Sequence, residues 1–363
     1  MSAAQPLRAG VVGLGWAGQQ HMAAYAGDPG VELVALAGME VGPLDELGEH
    51  YGVAAEQRHQ DWRELLAHGE LDVVSIATPT TLHAPVATAA LDAGVHVLSE
   101  KPMAENGTAA RTMVEAAQRN DRVLDVSFNH RRRGDVAALK SVVDAGLLGE
   151  IYYAKAGWLR RQGIPTLGSW FTRRASAGGG PLMDIGVHML DMALHLMGEP
   201  QVSTASAATY AEFGPRGRGG STSMAKTGVQ GGGTFDVEDL STAFLRLTGG
   251  ATLLLESSWA QWIPRDLCYV TLYGSEGGAS LEWGGSPQDP HRSLQVWTEI
   301  QGVPAELSPA IPADGMHAAA VLDFLAKVRS GDFAAHRGEE ALVRALVVDA
   351  CYDSAAKGAE VTL

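Results

Sequence analysis

Short apolar runs alternate with amphipathic stretches over the first third of the chain. The runs that predict β-strands are Ala9–Gly13, Val31–Ala37, Leu71–Ala77, Val95–Ser99 and Val123–Phe128. Apolar residues at helical spacing predict helices at Pro43–His50, Thr81–Ala93 and Thr108–Arg119. Strands that alternate with helices of this length usually lie parallel in one sheet. The pattern therefore predicts a doubly wound parallel sheet over residues 1–128.

The pattern changes after Asn129, where strands follow one another with few helices between them. The predicted strands are Ile151–Leu159, Val202–Tyr210, Thr242–Leu247, Ala251–Ser257, Cys268–Tyr273, Ala279–Glu282 and Ser293–Thr298. The predicted helices are Asp135–Ala145, Met316–Lys327 and Gly338–Lys357. Strands without crossover helices pair antiparallel, so residues 129–363 are expected to form an α+β domain. Its sheet should be large, open and mostly antiparallel, and the glycine-rich segment Phe213–Phe235 should be a long exposed loop or a lid.

Composition narrows the class of protein. The chain has 363 residues, 46% of them hydrophobic, and a formal net charge of −15, which argues against nucleic-acid and anionic membrane partners. Its two cysteines, Cys268 and Cys351, give no disulfide framework, and the N-terminus has no signal-peptide pattern. We therefore expect a cytoplasmic α/β protein of two domains.

A glycine-rich turn follows the first predicted strand. It reads Gly13-Leu14-Gly15-Trp16-Ala17-Gly18 and leads into a helical pattern. In a dinucleotide-binding turn of the Rossmann type, the first glycine allows the tight turn, the second admits a pyrophosphate and the third lets helix pack on strand. The turn between strand and helix favours this interpretation, so Gly13, Leu14, Gly15, Trp16 and Ala17 are predicted cofactor contacts.

The end of the second strand bears on which nicotinamide cofactor is used. Gly38 occupies the position where an acidic residue usually contacts the adenosine ribose, and Glu40 lies two residues further on. No lysine or arginine follows until Arg58. This favours NAD with Glu40 as the ribose contact, leaves NADP possible, and leaves open that Glu40 is an ordinary surface residue.

Residues at two later strand ends complete the predicted nucleotide-binding site. Thr78 and Pro79 follow the third strand, with His83 in the next helical turn, and Glu100 and Lys101 follow the fourth. Ligands of parallel sheets bind at such ends. Lys101, followed by a proline, could hydrogen-bond a substrate hydroxyl or help to remove its proton, although an isolated lysine is more commonly a solvated surface charge.

Four polar residues recur at helical spacing in the segment Gly178–His195. Asp184, His188, Asp191 and His195 lie four, three and four residues apart, which places them on one face of a regular helix. A solvated helix face and a divalent metal site both fit this spacing. Basic residues also cluster from Arg131 to Arg174, either to recognise an anionic group or as solvated or subunit-bridging charges.

These motifs together resemble the Gfo/Idh/MocA family of oxidoreductases. The stretches VVGLGWAG, ATPTTLH, SEKP and GGGPLMDIGVHMLD occur in the family's order, and Val237-Glu238-Asp239 and the terminal GAEVTL resemble its later signatures. The resemblance implies oxidation or reduction of a carbinol carbon of a sugar, cyclitol or sugar nucleotide with NAD or NADP. It also implies a homodimer or homotetramer formed through the C-terminal sheet.

The resemblance also implies individual roles. Lys101 corresponds to the family's lysine beside the reacting carbon, and Asp184 and His188 correspond to its active-site acid and catalytic histidine. Trp170 corresponds to a tryptophan that reaches the cofactor, whereas Phe171 replaces an arginine that is common in the family. With these roles assigned, no metal is predicted.

We expect His188 to take the hydroxyl proton, because imidazole titrates near neutral pH, while Asp184 orients the ring or binds a neighbouring hydroxyl. Lys101 would favour the alkoxide. The alternatives are a redox-assisted glycoside hydrolase or eliminase of the same fold, a non-catalytic NAD-binding sugar sensor, and a cofactor-free carbohydrate-binding protein. The identity of the sugar stays open.

Overall fold

The computed structural model describes residues 5–68, 70–221, 234–284 and 292–363. In chain order the strands are β1 Leu7–Val12, β2 Val31–Ala37, β3 Arg58–His59, β4 Val73–Ile76, β5 His96–Glu100, β6 Leu124–Ser127, β7 Ile151–Leu159, β8 Val202–Tyr210, β9 Leu240–Leu247, β10 Thr252–Ser258, β11 Leu267–Gly274, β12 Gly277–Trp283, β13 Ser293–Ile300, β14 Val303–Leu307 and β15 Val361–Thr362. The α-helices are α1 Trp16–Ala26, α2 Val41–Tyr51, α3 Trp62–His68, α4 His83–Asp92, α5 Gly107–Asn120, α6 Gly134–Asp144, α7 Arg174–Ala177, α8 Val187–Leu196, α9 Met316–Ser330 and α10 Glu339–Lys357.

The first sheet is the parallel sheet that the alternating pattern predicts. Its six strands lie in the order β3-β2-β1-β4-β5-β6, and each neighbouring pair is parallel. Strands β4 and β5 are buried along their whole length, as expected for a sheet with helices on both faces. The pattern missed β3, which is only two residues long, and α3 after it.

The second sheet has nine strands in the order β14-β13-β12-β11-β7-β10-β9-β8-β15. All of its pairs are antiparallel except β7 with β10, which confirms a large, mostly antiparallel sheet. Buried and partly exposed residues alternate along β9, β10 and β11, so one face packs inward and the other stays open. The carboxyl ends of β7 and β10 lie at the same edge because these two strands are parallel.

The chain divides into two compact units that differ from the predicted ranges 1–128 and 129–363. The first unit comprises residues 1–129 and 315–345, and the second comprises residues 130–314 and 346–363. The segment 315–345 returns to the first unit because α9 buries Val321, Phe324 and Leu325 in the same core as Met22 and Tyr25. The sequence pattern predicted this helix, but helical spacing carries no information about which core the apolar face joins.

Part of the predicted loop Phe213–Phe235 lies outside the described residues, which resume at 234. Its first half contains a short helical turn at Gly214–Arg216. Within the described ranges, no helix is both long enough and apolar enough to cross a bilayer.

Candidate functional site

The glycine-rich turn has the shape that a dinucleotide pyrophosphate requires. Gly13 has φ 99°, and a Cβ atom there would overlap the carbonyl of Ala77 at the end of β4. A Cβ atom on Gly18 would overlap the carbonyl of Gly13. At Gly15, by contrast, no heavy atom lies within 4 Å of the Cβ position. The turn is thus tight on its protein side and open at Gly15, in front of the first amides of α1.

The space beside the second strand is shared by Leu14 and Gly38. A Cβ atom on Gly38 would lie 2.5 Å from Cδ1 of Leu14, so an acidic side chain at position 38 would displace Leu14. Glu40 is exposed and immediately precedes α2, where its side chain makes no capping hydrogen bond. Glu40 is thus an exposed acidic residue between β2 and α2, and its contact with the adenosine ribose stays a prediction.

His83 joins the two later strand ends rather than facing outward. The residue is buried, with Nδ1 2.8 Å from the carbonyl oxygen of Pro102 and Nε2 2.9 Å from that of Thr78. Burial lowers the pKa of His83, although both carbonyls favour a donor at the nitrogen they face. The side chain holds the two loops together, and its predicted contact with a cofactor stays a prediction.

Thr78 and Pro79 lie in the loop that follows β4. The Thr78 hydroxyl oxygen is buried and makes no hydrogen bond within the part of the chain that the structure describes. A buried polar atom of this kind is commonly satisfied by a ligand or a water molecule. Together with the open space at Gly15, it indicates that these loops fit a bound dinucleotide.

Glu100, predicted as a cofactor contact, is buried among protein groups. Its Oε1 atom lies 3.2 Å from Nε2 of His21, and its Oε2 atom accepts a hydrogen bond of 3.1 Å from the amide of Lys101. Burial alone would raise the pKa of Glu100, but the hydrogen bond from His21 and the charges of His21, His317 and Lys101 lower it to about 2. Both carboxylate oxygens therefore face the protein, which gives this side chain an internal role.

The four-residue stripe does not form one regular helical face. Its first part, Leu182–Gly186, is a π-helical turn, and only Val187–Leu196 is α-helical. Asp184 accepts a hydrogen bond of 2.9 Å from Nε1 of Trp259. Asp191 is buried and pairs with Arg131, and Nδ1 of His195 lies 3.7 Å from Glu199.

The four side chains thus have different surroundings, which corrects the expectation of a single shared face. Within the described ranges, no group of three histidine, cysteine or carboxylate side chains is arranged to hold a metal ion.

His188 is buried in an aromatic environment. Its ring centroid lies 4.5 Å from that of His130 and 6.1 Å from that of Trp158. Trp158 is the penultimate residue of β7, and Trp259 follows β10, so the parallel pair of strands supplies the walls around Asp184 and His188. Neither His130 nor Trp259 could be predicted as part of the site, because nothing in the local pattern distinguishes them from other aromatic residues.

Glu238 fixes the start of the same helical segment. Its Oε1 atom accepts hydrogen bonds from the Tyr352 hydroxyl and the Leu182 amide, at 2.8 and 3.2 Å, and its Oε2 atom accepts one from the Gly180 amide at 3.0 Å. Burial raises the pKa of Glu238, although all three hydrogen bonds favour the carboxylate. The polar pair Glu238-Asp239 was visible in the sequence, but its capping role depends on contacts with distant residues.

The remaining predicted residues have mixed outcomes. Trp170 is partly exposed and stacks on Phe171, with ring centroids 3.8 Å apart. Arg131 and Arg133 of the basic segment pair inside the unit, with Asp191 and Asp135. The anion-recognition hypothesis is therefore left to the outer arginines, such as the exposed Arg173.

Known proteins resemble the chain over both units. Residues 7–128 match the Gfo/Idh/MocA model described as an oxidoreductase family with an NAD-binding Rossmann fold, and residues 136–280 match the GFO/IDH/MocA C-terminal domain. The chain is 32% identical over 361 residues to D-glucoside 3-dehydrogenase of Escherichia coli strain K12. The matched region covers 99% of this chain and 98% of that protein.

A second relative is levoglucosan dehydrogenase of Pseudarthrobacter phenanthrenivorans, with 31% identity over 75% of this chain and 73% of that protein. Among solved structures, a levoglucosan dehydrogenase in complex with NADH superposes with a TM-score of 0.81 at 25% identity, and 99% of each chain is covered.

Proposed function

Because the chain belongs to the Gfo/Idh/MocA family of oxidoreductases and its first unit is an NAD-binding Rossmann domain, we propose that it is a sugar dehydrogenase. It transfers a hydride between a secondary alcohol carbon of a sugar or cyclitol and the nicotinamide ring of NAD. The names of the relatives, D-glucoside 3-dehydrogenase and levoglucosan dehydrogenase, favour a pyranose ring as the substrate. Its two buried free cysteines suit a reducing compartment, so we place the reaction in the cytoplasm.

The observation that carries the proposal is that Asp184 and His188 lie four residues apart on one continuous helical segment. Trp259 holds the carboxylate of Asp184, and Glu238 anchors the amides where the segment begins. A positioned imidazole and a positioned carboxylate are the groups needed to move a proton and to orient a polyhydroxylated ring. Solvated helix residues would not need this buried framework.

In the direction of oxidation, His188 accepts the proton of the substrate hydroxyl while its carbon loses the hydride. Asp184 orients either the imidazole or a neighbouring hydroxyl. The Lys101 side chain stabilises the developing alkoxide. The open turn at Gly15 and the uncapped start of α1 would hold the pyrophosphate of NAD, which would supply the hydride acceptor. Leu14, Trp16, Ala17, Thr78, Pro79 and Trp170 are the further contacts that we propose for the cofactor.

The test is NADH formation from a panel of glucosides, levoglucosan, free aldoses and inositols, each with NAD and with NADP. A general base contributes roughly 10²–10⁴ in rate, so His188→Ala should retain about one hundredth of the turnover or less. His195→Ala, two turns further along, should retain full turnover. Lys101→Ala should lower kcat more than NAD affinity. Full activity of His188→Ala would contradict the assignment.

We propose a homodimer or homotetramer that pairs the open face of the second sheet. Tyr153 of β7 stacks on Tyr273 of β11 at 5.1 Å, and the Tyr269 hydroxyl donates to Glu256 of β10 at 2.5 Å. These partly exposed side chains form an ordered aromatic surface suited to a second copy of the chain. Light scattering should give a multiple of 38.1 kDa for the wild type and a smaller mass for Tyr153→Asp. A monomeric wild type would exclude this surface as an interface.

A further inference from the structure

A buried imidazole from the C-terminal part of the chain reaches the loop of the predicted lysine. His317 is the second residue of α9 and belongs to the first compact unit, as do Glu100 and Lys101. Its Nε2 atom lies 3.6 Å from Oε1 of Glu100, the same oxygen that contacts His21. Neither the family resemblance nor the predicted site includes His317.

Two other neighbours fix the orientation of this imidazole. Nδ2 of Asn129 lies 3.1 Å from Nδ1 of His317, and an amide nitrogen can only donate. The proton of the neutral ring therefore sits on Nε2 and faces Glu100. Burial lowers the pKa of His317 despite the nearby Glu100 carboxylate.

The same ring supports the glycine-rich turn. The rings of His317 and Trp16 meet edge to face, with centroids 4.9 Å apart, and Trp16 is otherwise 67% exposed. The preceding residue, Met316, has φ 44°, a left-handed conformation that is strained for methionine. Such strain tends to be retained where a backbone must present a functional side chain. His317 thus touches both the turn and the loop that we propose to hold the cofactor and the catalytic lysine.

We propose that His317 is a positioning residue that acts through Glu100 on the backbone of Lys101. The inference rests on the proposed function and adds a residue to its site. Glu100 presents one oxygen to His21 and His317 and the other to the Lys101 amide, so the imidazole restrains the carboxylate that orients the lysine. Without these contacts the Glu100 carboxylate would be less restrained, and the Lys101 amine could move away from its productive position.

The docking of α9 does not depend on this contact. Val321, Phe324, Leu325 and Val328 are buried in the core of the unit, and they hold the helix by apolar packing. His317→Phe should therefore fold, keep the contact with Trp16 and lose the polar contacts of the imidazole with Glu100 and Asn129. His317→Gln is the conservative variant, because its amide nitrogen can replace the Nε2 donor. Leu322→Ala, on the exposed side of α9, is the matched control.

The experiment measures kcat with the best sugar of the panel and the affinity for NAD. His317→Phe should lower kcat by about tenfold while its Kd for NAD stays within about threefold of wild type. His317→Gln should recover most of the loss, and Leu322→Ala should match wild type. A normal kcat for His317→Phe would overturn the proposal. So would a kcat for His317→Gln that is no higher than that for His317→Phe.

A second readout separates this inference from the proposed function. Amide hydrogen exchange at Lys101 reports the hydrogen bond to Glu100 without any turnover. Exchange should be about tenfold faster in His317→Phe than in Leu322→Ala, whatever substrate the enzyme uses. If no sugar is oxidised but this difference is found, the proposed function fails and the positioning role stands. Equal exchange in the two variants would refute the positioning role.

Discussion

In the first unit, the glycine-rich turn takes its shape from residues close in sequence and from the neighbouring strand, whereas in the second unit Asp184 depends on Trp259, 75 positions away. The first arrangement can be read from a short motif, because backbone clearance determines which residues fit. The second arrangement consists of side-chain contacts between strands and helices that have no local signature. A change in the glycine-rich turn should therefore disturb cofactor binding directly, and a change around Asp184 should disturb the chemistry of the substrate.

The largest effect is expected from Gly13→Val. The side chain would overlap the carbonyl of Ala77, and the positive φ of 99° is unfavourable for a β-branched residue. We expect NAD affinity to fall by roughly 100-fold or more, because the turn has to change to admit the new atoms. Calorimetric titration with NAD would measure this. Gly27→Ala, at the end of the same helix and at φ −82°, should bind NAD normally.

Glu100→Gln tests whether a buried charge is part of the local framework. The folded pKa of Glu100, about 2, is below its ordinary value of 4.5, so the charged carboxylate stabilises the fold above pH 4.5. That stabilisation, about 3 kcal/mol at most, is lost as the pH falls towards 2. Urea unfolding should show a difference between wild type and variant that is constant from pH 8 to 5 and shrinks at lower pH.

Glu32→Gln, at an exposed position on β2, should show no such difference. A gap between wild type and Glu100→Gln that is independent of pH would mean that the charge is not what the site requires.

Trp259→Phe probes the long-range contact in the second unit. The change removes the 2.9 Å hydrogen bond to Asp184 and keeps most of the aromatic packing. A hydrogen bond to a charged group contributes about 1.5–3 kcal/mol, so kcat/KM should fall by roughly tenfold or more with unchanged NAD affinity. Trp262→Phe, three residues later and 85% exposed, provides the control. Identical kinetics for the two variants would remove Trp259 from the site.

The smallest effect is expected from Glu40→Ala. Glu40 is exposed, so a ribose hydrogen bond made by its carboxylate should contribute only about 0.5–1.5 kcal/mol. NAD affinity should fall by up to about tenfold while NADP affinity is unchanged or improved, since a repulsive charge is lost. Glu46→Ala, exposed on α2, should change neither constant. Unchanged discrimination between NAD and NADP in Glu40→Ala would assign the choice of cofactor to other residues.

The sequence predicted most of the fold because periodicity reports whether a segment is a strand or a helix. It predicted β7 and β8 with the bounds that the structure has, yet it missed β3, whose two residues are too few to show a period. It also missed the π-helical turn at Leu182–Gly186, because residues that suit an α-helix suit such a turn as well. That turn is why the evenly spaced stripe did not become one face.

The same limit applies to the candidate site. Gly13, Gly15 and Lys101 could be predicted because their motifs are contiguous, and the family resemblance implied the role of Lys101. His317 could not be predicted, because its contact with Glu100 depends on where α9 packs, and the apolar spacing of α9 does not indicate which core the helix joins. Spacing singled out Asp184 and His188 and the family resemblance implied their roles, but the groups around them came only from the structure.

The return of α9 to the first unit also bears on how the protein is made. The core around Met22 and Tyr25 is completed by residues that leave the ribosome only after the entire stretch from 130 to 314. At about 5–20 residues per second, that stretch takes roughly 10–40 s to synthesise. We expect the nascent N-terminal unit to display an apolar patch throughout that interval, which makes it a client for chaperones that recognise growing chains.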